Sequence, residues 1–549
     1  MRKSRKKAGG IAMNIDDSER QFDVLIVGAG FAGIYALFKI RRMGLTAVVL
    51  EAAPSVGGTW YANHYPGARV DVQSLDYSFS FSEELQQEWH WSERYAAQPE
   101  LLRYANHVAD RFGLRDGIRL NTCVSSAHFD EAARRWRVDS DDGEKWAARF
   151  VIMATGPLST PNTPAFAGLE SFTGAVLHSA AWPKEPVDFS GRRVAVIGTG
   201  TSAVQIIPTI APRVQTLAVF QRTAAYAVPA HNGPLDPTYE ASIKSDYAGY
   251  RARNRLMRTG FYSDIPVNPQ SALAASADEL EAAFDERWRM GGFAFLRAFA
   301  DLMTDMRANA LAAEFVRGKI REIVADPETA ALLSPSQPIG CKRMAVDANG
   351  YYESFNRPNV MLVDVSRHPI DAFTPRGLLT GGREYEFDTL VMATGFDAFT
   401  GTLTRMDLRG RDGIRMRDKW RDGPLNYLGL ATAGFPNLFT VAGPGSTSAF
   451  TNVIVSIEHH IDWIGECIAW LDANGRDTIE ASEKAESDWM AFVYAVATRT
   501  VFLNCNSWYL GANVPDKPRV FMPLASGYPA YAERCTIVAQ NGYEGFIVG

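Results

Sequence analysis

The chain has 549 residues, room for three or four units at a soft average of about 150 residues per domain. Its 46% hydrophobic and 21% charged residues are a globular composition, which excludes a disordered or fibrous chain. Lys plus Arg number 56 against 62 Asp plus Glu, a formal charge of −6, so the basic excess of a nucleic-acid-binding surface is missing.

Residues 1–20 read as a flexible basic tail. Five of the first seven are Lys or Arg, and no apolar core of a secretory signal follows. Met13 is as acceptable a start as Met1. The first structured run, Phe22 to Val27, is rich in β-branched residues and stops at Gly28-Ala-Gly-Phe-Ala-Gly33. A helix is expected from Ile34 to Met43, then a strand from Thr46 to Leu50 that ends on Glu51. The same order returns 170 residues later (198 − 28): strand Arg193 to Ile197, turn Gly198-Thr-Gly-Thr-Ser-Ala203, a helix from Ala203, strand Thr216 to Phe220. Two such starts predict an α/β protein with two Rossmann-like, doubly wound dinucleotide-binding units.

Between Leu235 and Leu333 the pattern turns to amphipathic helices, expected over Leu273 to Trp288, Phe293 to Met306 and Leu311 to Val324. This is a helical insertion at about 235–335. Strands are expected again at Val360 to Val363 and Thr389 to Met392, and helices at Thr451 to Asn474 and Ala485 to Thr498. Phe150-Val-Ile-Met-Ala-Thr-Gly156 and Thr389-Leu-Val-Met-Ala-Thr-Gly395 are near copies that flank the second unit, so it reads as inserted into the first. The expected division is 21–160 and 391–549 for the first unit and 161–390 for the second. The uncharged stretch from Pro424 to Ile457 is broken by glycines and prolines, and no membrane span is expected. The five cysteines contain no Cys-x-x-Cys pair. They read as reduced thiols of a cytoplasmic protein, with no dithiol relay of that type and no metal site.

In the first glycine turn Gly28 permits the tight bend, Gly30 lets a pyrophosphate approach the backbone, and Gly33 lets the helix pack on the strand. The helix N-terminus adds N–H donors and partial positive charge. Glu51, 23 residues after Gly28, suits a ribose diol. The second turn has Ala203 in the third glycine's place, and no acid ends its second strand. Gln221-Arg222-Thr223 stands there instead, which suits a ribose 2′-phosphate. The pair of sites points to FAD and NADPH, and without a cysteine pair the electrons are expected to go to O2.

Phe172-x-Gly174-x-x-x-His178-x-x-x-Trp182-Pro183 resembles the fingerprint of the type I Baeyer–Villiger monooxygenases. Gly57-Gly-Thr-Trp-Tyr-Ala-Asn-His-Tyr-Pro-Gly-Ala-Arg-Val-Asp71 resembles the family's flavin-side stretch. Lys342-Arg343, Ala393-Thr-Gly-Phe-Asp397 and Asn506-Ser-Trp-Tyr509 match in family order, nearest the phenylacetone and steroid branch. The resemblance implies oxygen insertion beside a ketone carbonyl through a flavin peroxide, giving an ester or lactone from aryl, cyclic or polycyclic ketones, with sulfoxidation as a side activity.

It further implies catalytic Arg343 with Asp71 as its partner, and FAD contacts from Gly28, Gly30, Phe31, Gly33, Glu51, Gly58, Thr59, Trp60, Asp71, Val72, Tyr77 and Val124. NADP contacts are implied for Gly198, Thr199, Gly200, Thr201, Ser202, Gln205, Arg222, Thr223, Lys342, Arg343 and Trp508, the last on a mobile loop. Lys342 and Arg343 are expected on an extended strand, facing opposite ways. Phe172, Gly174, His178, Trp182 and Pro183 are expected to couple the two units, and Ser448, Ala449, Phe450 and Met522 to line an apolar substrate pocket.

Ala62, Val70, Gln73 and Cys341 depart from the usual family pattern. Cys341 is read as buried and unreactive, with oxidation sensitivity as the other reading. The rivals are a flavin-containing monooxygenase acting on N or S centres and, outside catalysis, an FAD/NADP redox sensor. The expected partners are a small ketone and O2, without nucleic acid or membrane, in a monomer or weak homodimer.

Overall fold

A computed structural model describes residues 20–549; positions 1–19 of the expected basic tail lie outside it. Arg20–Val27 forms the first strand. Its buried end, Val24 to Val27, pairs in parallel with Ala47–Leu50 on one side and with Lys145–Met153 on the other. Buried on both faces, these strands are continuous apolar runs, as a parallel sheet covered by helices requires. Ile118–Arg119 extends one edge. Leu438–Thr440 pairs in parallel with Lys145–Met153. The antiparallel strands Val124–Asp130 and Arg135–Ser140 carry the sheet outward to Asp407–Arg409, completing eight strands.

The second sheet is wholly parallel, in the order Val360–Asp364, Thr216–Gln221, Arg193–Ile197, Thr389–Met392, Ala175–His178. All five strands fall in sequence between Lys145–Met153 and Asp407–Arg409 of the first sheet. The two near-copy segments therefore occupy different sheets. Each Ala-Thr-Gly end backs one glycine turn. Gly28 has φ 102° and Gly198 φ 109°, and a Cβ would stand 2.8 Å from the Ala154 carbonyl oxygen in one and 2.5 Å from that of Ala393 in the other. Only glycine meets both the left-handed conformation and the close approach.

Helix Phe31–Arg42 packs on Val453–Ala473, where Tyr35 and Lys39 both donate to Asp462, at 2.8 and 2.6 Å. In the helical segment Ala277–Met290 starts at the Ser276–Glu279 capping box, so Leu273 stays outside it. Phe293 to Met306 is not one helix. Gly291 and Gly292, both at positive φ, lead into a short 3₁₀ turn, Gly292–Arg297, and Asp305 caps the next helix, Met306–Ile323. Among the described residues no helix is long and apolar enough to cross a membrane.

Two further expectations are corrected. Lys342 stands in a bend and Arg343 in irregular chain before the short strand Ala345–Asp347, neither of them in a strand. Cys341 and Cys505, read as reduced thiols, form a disulfide, leaving Cys123, Cys467 and Cys535 free. The two positions are 164 residues apart, but folding brings their Cα atoms to 6.2 Å, a proximity that spacing cannot reveal.

Candidate active site

Arg343 is the centre of the cleft. Its Nε donates to Asp71 Oδ2 at 2.7 Å with Nη2 2.6 Å from the same oxygen, and its Nη1 donates to the Ala449 carbonyl oxygen at 3.0 Å. The Phe293 ring covers the guanidinium at 5.0 Å from centroid to Cζ. Three distant stretches thus meet on one side chain: the flavin-side loop, the 443–450 loop and the helical segment. Burial acts to depress the Arg343 pKa, and Asp71 followed by Tyr509 outweighs it, so the charged form is held more firmly than usual. The two side chains keep 28% and 17% exposure.

The Lys342 pKa is lowered by burial and then by the positive charge of Arg222, so each cation feels the other. Among the described residues neither enters an ion pair. Two neighbouring cations without a carboxylate fit an anion such as a ribose phosphate. Thr199 Oγ1 donates to the Thr223 carbonyl oxygen at 2.8 Å and closes the same turn.

Both glycine turns have the donor set of a dinucleotide site. Helices Phe31–Arg42 and Thr201–Ile210 each begin at a glycine, Gly30 and Gly200, with no side-chain cap and no acid in the first turn. Open space surrounds the Cβ position of Gly200. Glu51 accepts the Ala29 and Ala53 N–H groups at 2.5 and 2.8 Å, and burial raises its pKa against those two bonds. The first turn and the Glu51 carboxylate are therefore one unit. Gly58 packs against Gly30, and Phe31 is buried beside Tyr77 at 5.9 Å. Trp60 donates to the Tyr77 hydroxyl at 3.2 Å. Val72 and Val124 are buried and Thr59 is exposed.

The fingerprint runs from the end of the first crossing between sheets through strand Ala175–His178 into the loop that follows it. Phe172 packs on Phe387 at 5.0 Å, and Gly174 lies tight against the Phe172 ring and the Asp388 carbonyl. His178 Nδ1 accepts the Ala180 N–H at 3.0 Å, which leaves the proton on Nε2, 3.2 Å from both the Asn162 carbonyl oxygen and Thr394 Oγ1. Asn162 and Thr394 belong to the two crossings between sheets, so one imidazole touches both. Burial lowers its pKa and keeps it neutral at neutral pH. Trp182 is buried against Phe189, and the Pro183 carbonyl oxygen lies 2.8 Å from His64 Nε2 on the flavin-side loop. Tyr65 donates to Gln205 Oε1 at 3.0 Å, joining that loop to helix Thr201–Ile210, which also carries Ser202.

Ala449 reaches the Arg343 site through its carbonyl, and Ser448 lies 3.0 Å from Ser446 in the same buried loop. Phe450 stacks on Phe502 at 4.3 Å and meets Tyr509 edge-on at 4.8 Å. The Met522 carbonyl oxygen accepts the Gly445 N–H of that loop at 2.7 Å and its own N–H donates to the Tyr509 carbonyl oxygen at 2.9 Å, and Met522 also lines a cavity of about 290 Å³ with Trp420 and Lys517. Trp508 stacks on Phe399 at 5.8 Å. Three site residues were not given roles from sequence: Phe293, Phe502 and Tyr509. Burial pushes the Tyr509 phenol up to about 12, against the pull of Arg343. Its place beside Trp508 in the quoted motif was the available signal, whereas nothing in sequence brings Phe293 to Arg343.

A family model described as pyridine nucleotide-disulphide oxidoreductase matches residues 25–253. A Baeyer-Villiger monooxygenase of Pseudooceanicola batsensis is 40% identical over 532 residues, covering 96% of each chain. A phenazine N-monooxygenase of Lysobacter antibioticus is also 40% identical, over 97% of this chain and 98% of its own. The structure of an oxidized steroid monooxygenase bound to NADP superposes with a TM-score of 0.91 at 48% identity, over 96% of this chain and 99% of that one. With full-length similarity of this degree on top of the paired glycine turns, the fingerprint and the Arg343–Asp71 pair, the chain belongs to the flavin-dependent Baeyer–Villiger monooxygenases.

Proposed function

We propose that the protein uses NADPH and O2 to insert one oxygen atom beside the carbonyl of an aryl, cyclic or polycyclic ketone, releasing an ester or lactone. The observation that carries this reading is Arg343, oriented by Asp71 and the Ala449 carbonyl with N–H groups to spare. A guanidinium keeps its charge at any working pH, so it stabilises negative oxygen without becoming a proton donor. Asp71 fixes its orientation. Phe293 covers one face of it.

Gly28, Gly30 and the start of helix Phe31–Arg42 would hold the FAD pyrophosphate and Glu51 its ribose. Gly198, Gly200 and helix Thr201–Ile210 would hold NADP(H), with Arg222 and Lys342 on its 2′-phosphate. FAD, when bound, supplies the chemistry that takes electrons from NADPH and activates O2. His178, neutral and hydrogen-bonded at both crossings, serves as a coupler between residues 161–390 and the flanking unit, 21–160 with 391–549, and not as a base.

The relative named as a phenazine N-monooxygenase supports a second reading, oxygen transfer to an aromatic ring nitrogen in the same cleft. Purified holoenzyme with NADPH, O2 and separate portions of cyclohexanone, phenylacetone, progesterone and phenazine distinguishes the two by mass spectrometry. Ester from a ketone supports the first reading. N-oxide from phenazine with no ester from any ketone replaces it with the second, and NADPH consumption yielding only hydrogen peroxide refutes both.

A further inference from the structure

Cys341 directly precedes Lys342 and Arg343, and its partner Cys505 lies three residues before Trp508. The bond therefore joins the segment that carries the two cations to the C-terminal strap, whose Tyr509 meets Arg343. The strap's other fastenings are non-covalent. Asn513 donates to the Phe396 carbonyl at 2.7 Å, Asn162 donates to the Asn513 carbonyl at 2.8 Å, and Lys517 donates to Asp397 at 2.5 Å. Phe396 and Asp397 lie in the second crossing between sheets, so the strap runs from the Arg343 segment to the junction of the two units. Gly511 and Asp516, both at positive φ, provide turns in it. Cys505 is half-buried and reachable by a small reagent, whereas Cys341 is fully buried. Two of the remaining cysteines, Cys467 and Cys535, are buried with thiol pKa values raised chiefly by burial.

We propose that Cys341 and Cys505 are a reversible redox latch. As the disulfide, the pair holds the strap closed over Lys342, Arg343 and the nucleotide they contact. As two thiols, it lets the strap open and the nucleotide leave. In closing, two S–H bonds break and one S–S bond forms, and two electrons and two protons pass to hydrogen peroxide, whose O–O bond breaks to give two waters. Peroxide is the by-product of a flavoprotein that reduces O2 without transferring oxygen, so the latch slows a protein that is wasting NADPH. A dithiol reductant reverses the step by exchange. The proposal rests on the assignment of Lys342 and Trp508 to NADP(H), and its test involves no ketone.

Holoenzyme treated with hydrogen peroxide or with dithiothreitol is denatured and alkylated, and NADP+ release is followed by stopped flow on parallel native samples. The peroxide-treated protein should carry three alkylated cysteines and a cross-linked peptide pair, and the reduced protein five, matching three free thiols and one bridge. Release of NADP+ should be at least ~5-fold slower in the oxidised form, the lower end of typical site-to-site coupling. Cys505→Ser should release NADP+ at the reduced rate after either treatment, and Cys341→Ala should do the same. Five alkylated cysteines after peroxide, or equal release rates in the two forms of the wild type, would overturn the latch. Loss of ester formation with the latch readouts intact would instead count against the ketone reading.

Discussion

Removing the positive charge of Arg222 tests the phosphate site without touching the cleft around Arg343. Arg222 is exposed and Lys342 half-buried beside it, with no acidic partner for either among the described residues. Without a ligand the two cations repel each other, and a 2′-phosphate between them turns that repulsion into two charge-assisted contacts. A contact of this kind is worth about 2 kcal/mol, so Arg222→Ala should raise the NADPH KM roughly 30-fold. NADH has no 2′-phosphate, and its KM should move less than about twofold on the same grounds. The loss of Arg222 also relieves part of the downward pressure on the Lys342 pKa, leaving burial as the remaining cause. Steady-state KM for both nucleotides, measured on wild type, the single variants and the double variant, gives the coupling between the two cations. An equal rise for NADPH and NADH would refute the assignment, because it would place the lost contact on a part of the nucleotide that both share.

Asp71→Ala should leave Arg343 unpaired, lower the turnover number roughly 100-fold by freeing the charge from its orientation, and reduce stability by about 3 kcal/mol. Unchanged turnover with an unchanged denaturation midpoint would remove Asp71 from the pair. Asp76 tests the buried polar network beside the flavin-side loop. Burial pushes its carboxyl up to about 7 against the pull of Arg251, and Tyr250 and Asn254 donate to the same oxygen. The folded carboxyl binds its proton more tightly than the unfolded one, whose ordinary value is 3.8, so this group costs stability increasingly as pH rises from about 4 to 7, and by a constant amount above. Asp76→Asn should therefore show a smaller fall in denaturation midpoint between pH 5 and pH 8 than the wild type. A larger fall would contradict the raised value.

The glycine turns were legible because a strand, a φ > 0 glycine and a helix start are all local, and Gly28 and Gly198 act where the spacing put them. The two Ala-Thr-Gly copies were legible as strand ends. Their second role, each pressing a carbonyl against a glycine turn, is a tertiary contact that only the fold displays. The helical segment misled at Phe293 because an apolar, aromatic run followed Gly291-Gly292. The glycines turn the chain and aim that ring at Arg343. Antiparallel strands such as Val124–Asp130 and Arg135–Ser140 went unnoticed beside the stronger parallel pattern. The disulfide was misread for a related reason: separation along the chain says nothing of two segments that a long crossover and a C-terminal strap bring together. Resemblance to a family supplied the Arg343–Asp71 pairing, and the structure adds its third partner, the Ala449 carbonyl.

The most direct test compares wild type and Arg343→Ala in NADPH-dependent oxygenation of phenylacetone under ¹⁸O₂, read by mass spectrometry. The wild type should form an ester carrying one labelled oxygen atom, while the variant should go on consuming NADPH and form none. Equal ester yield from the variant, or an ester whose new oxygen comes from water, would contradict the central claim that Arg343 stabilises the transfer of an oxygen atom from O2.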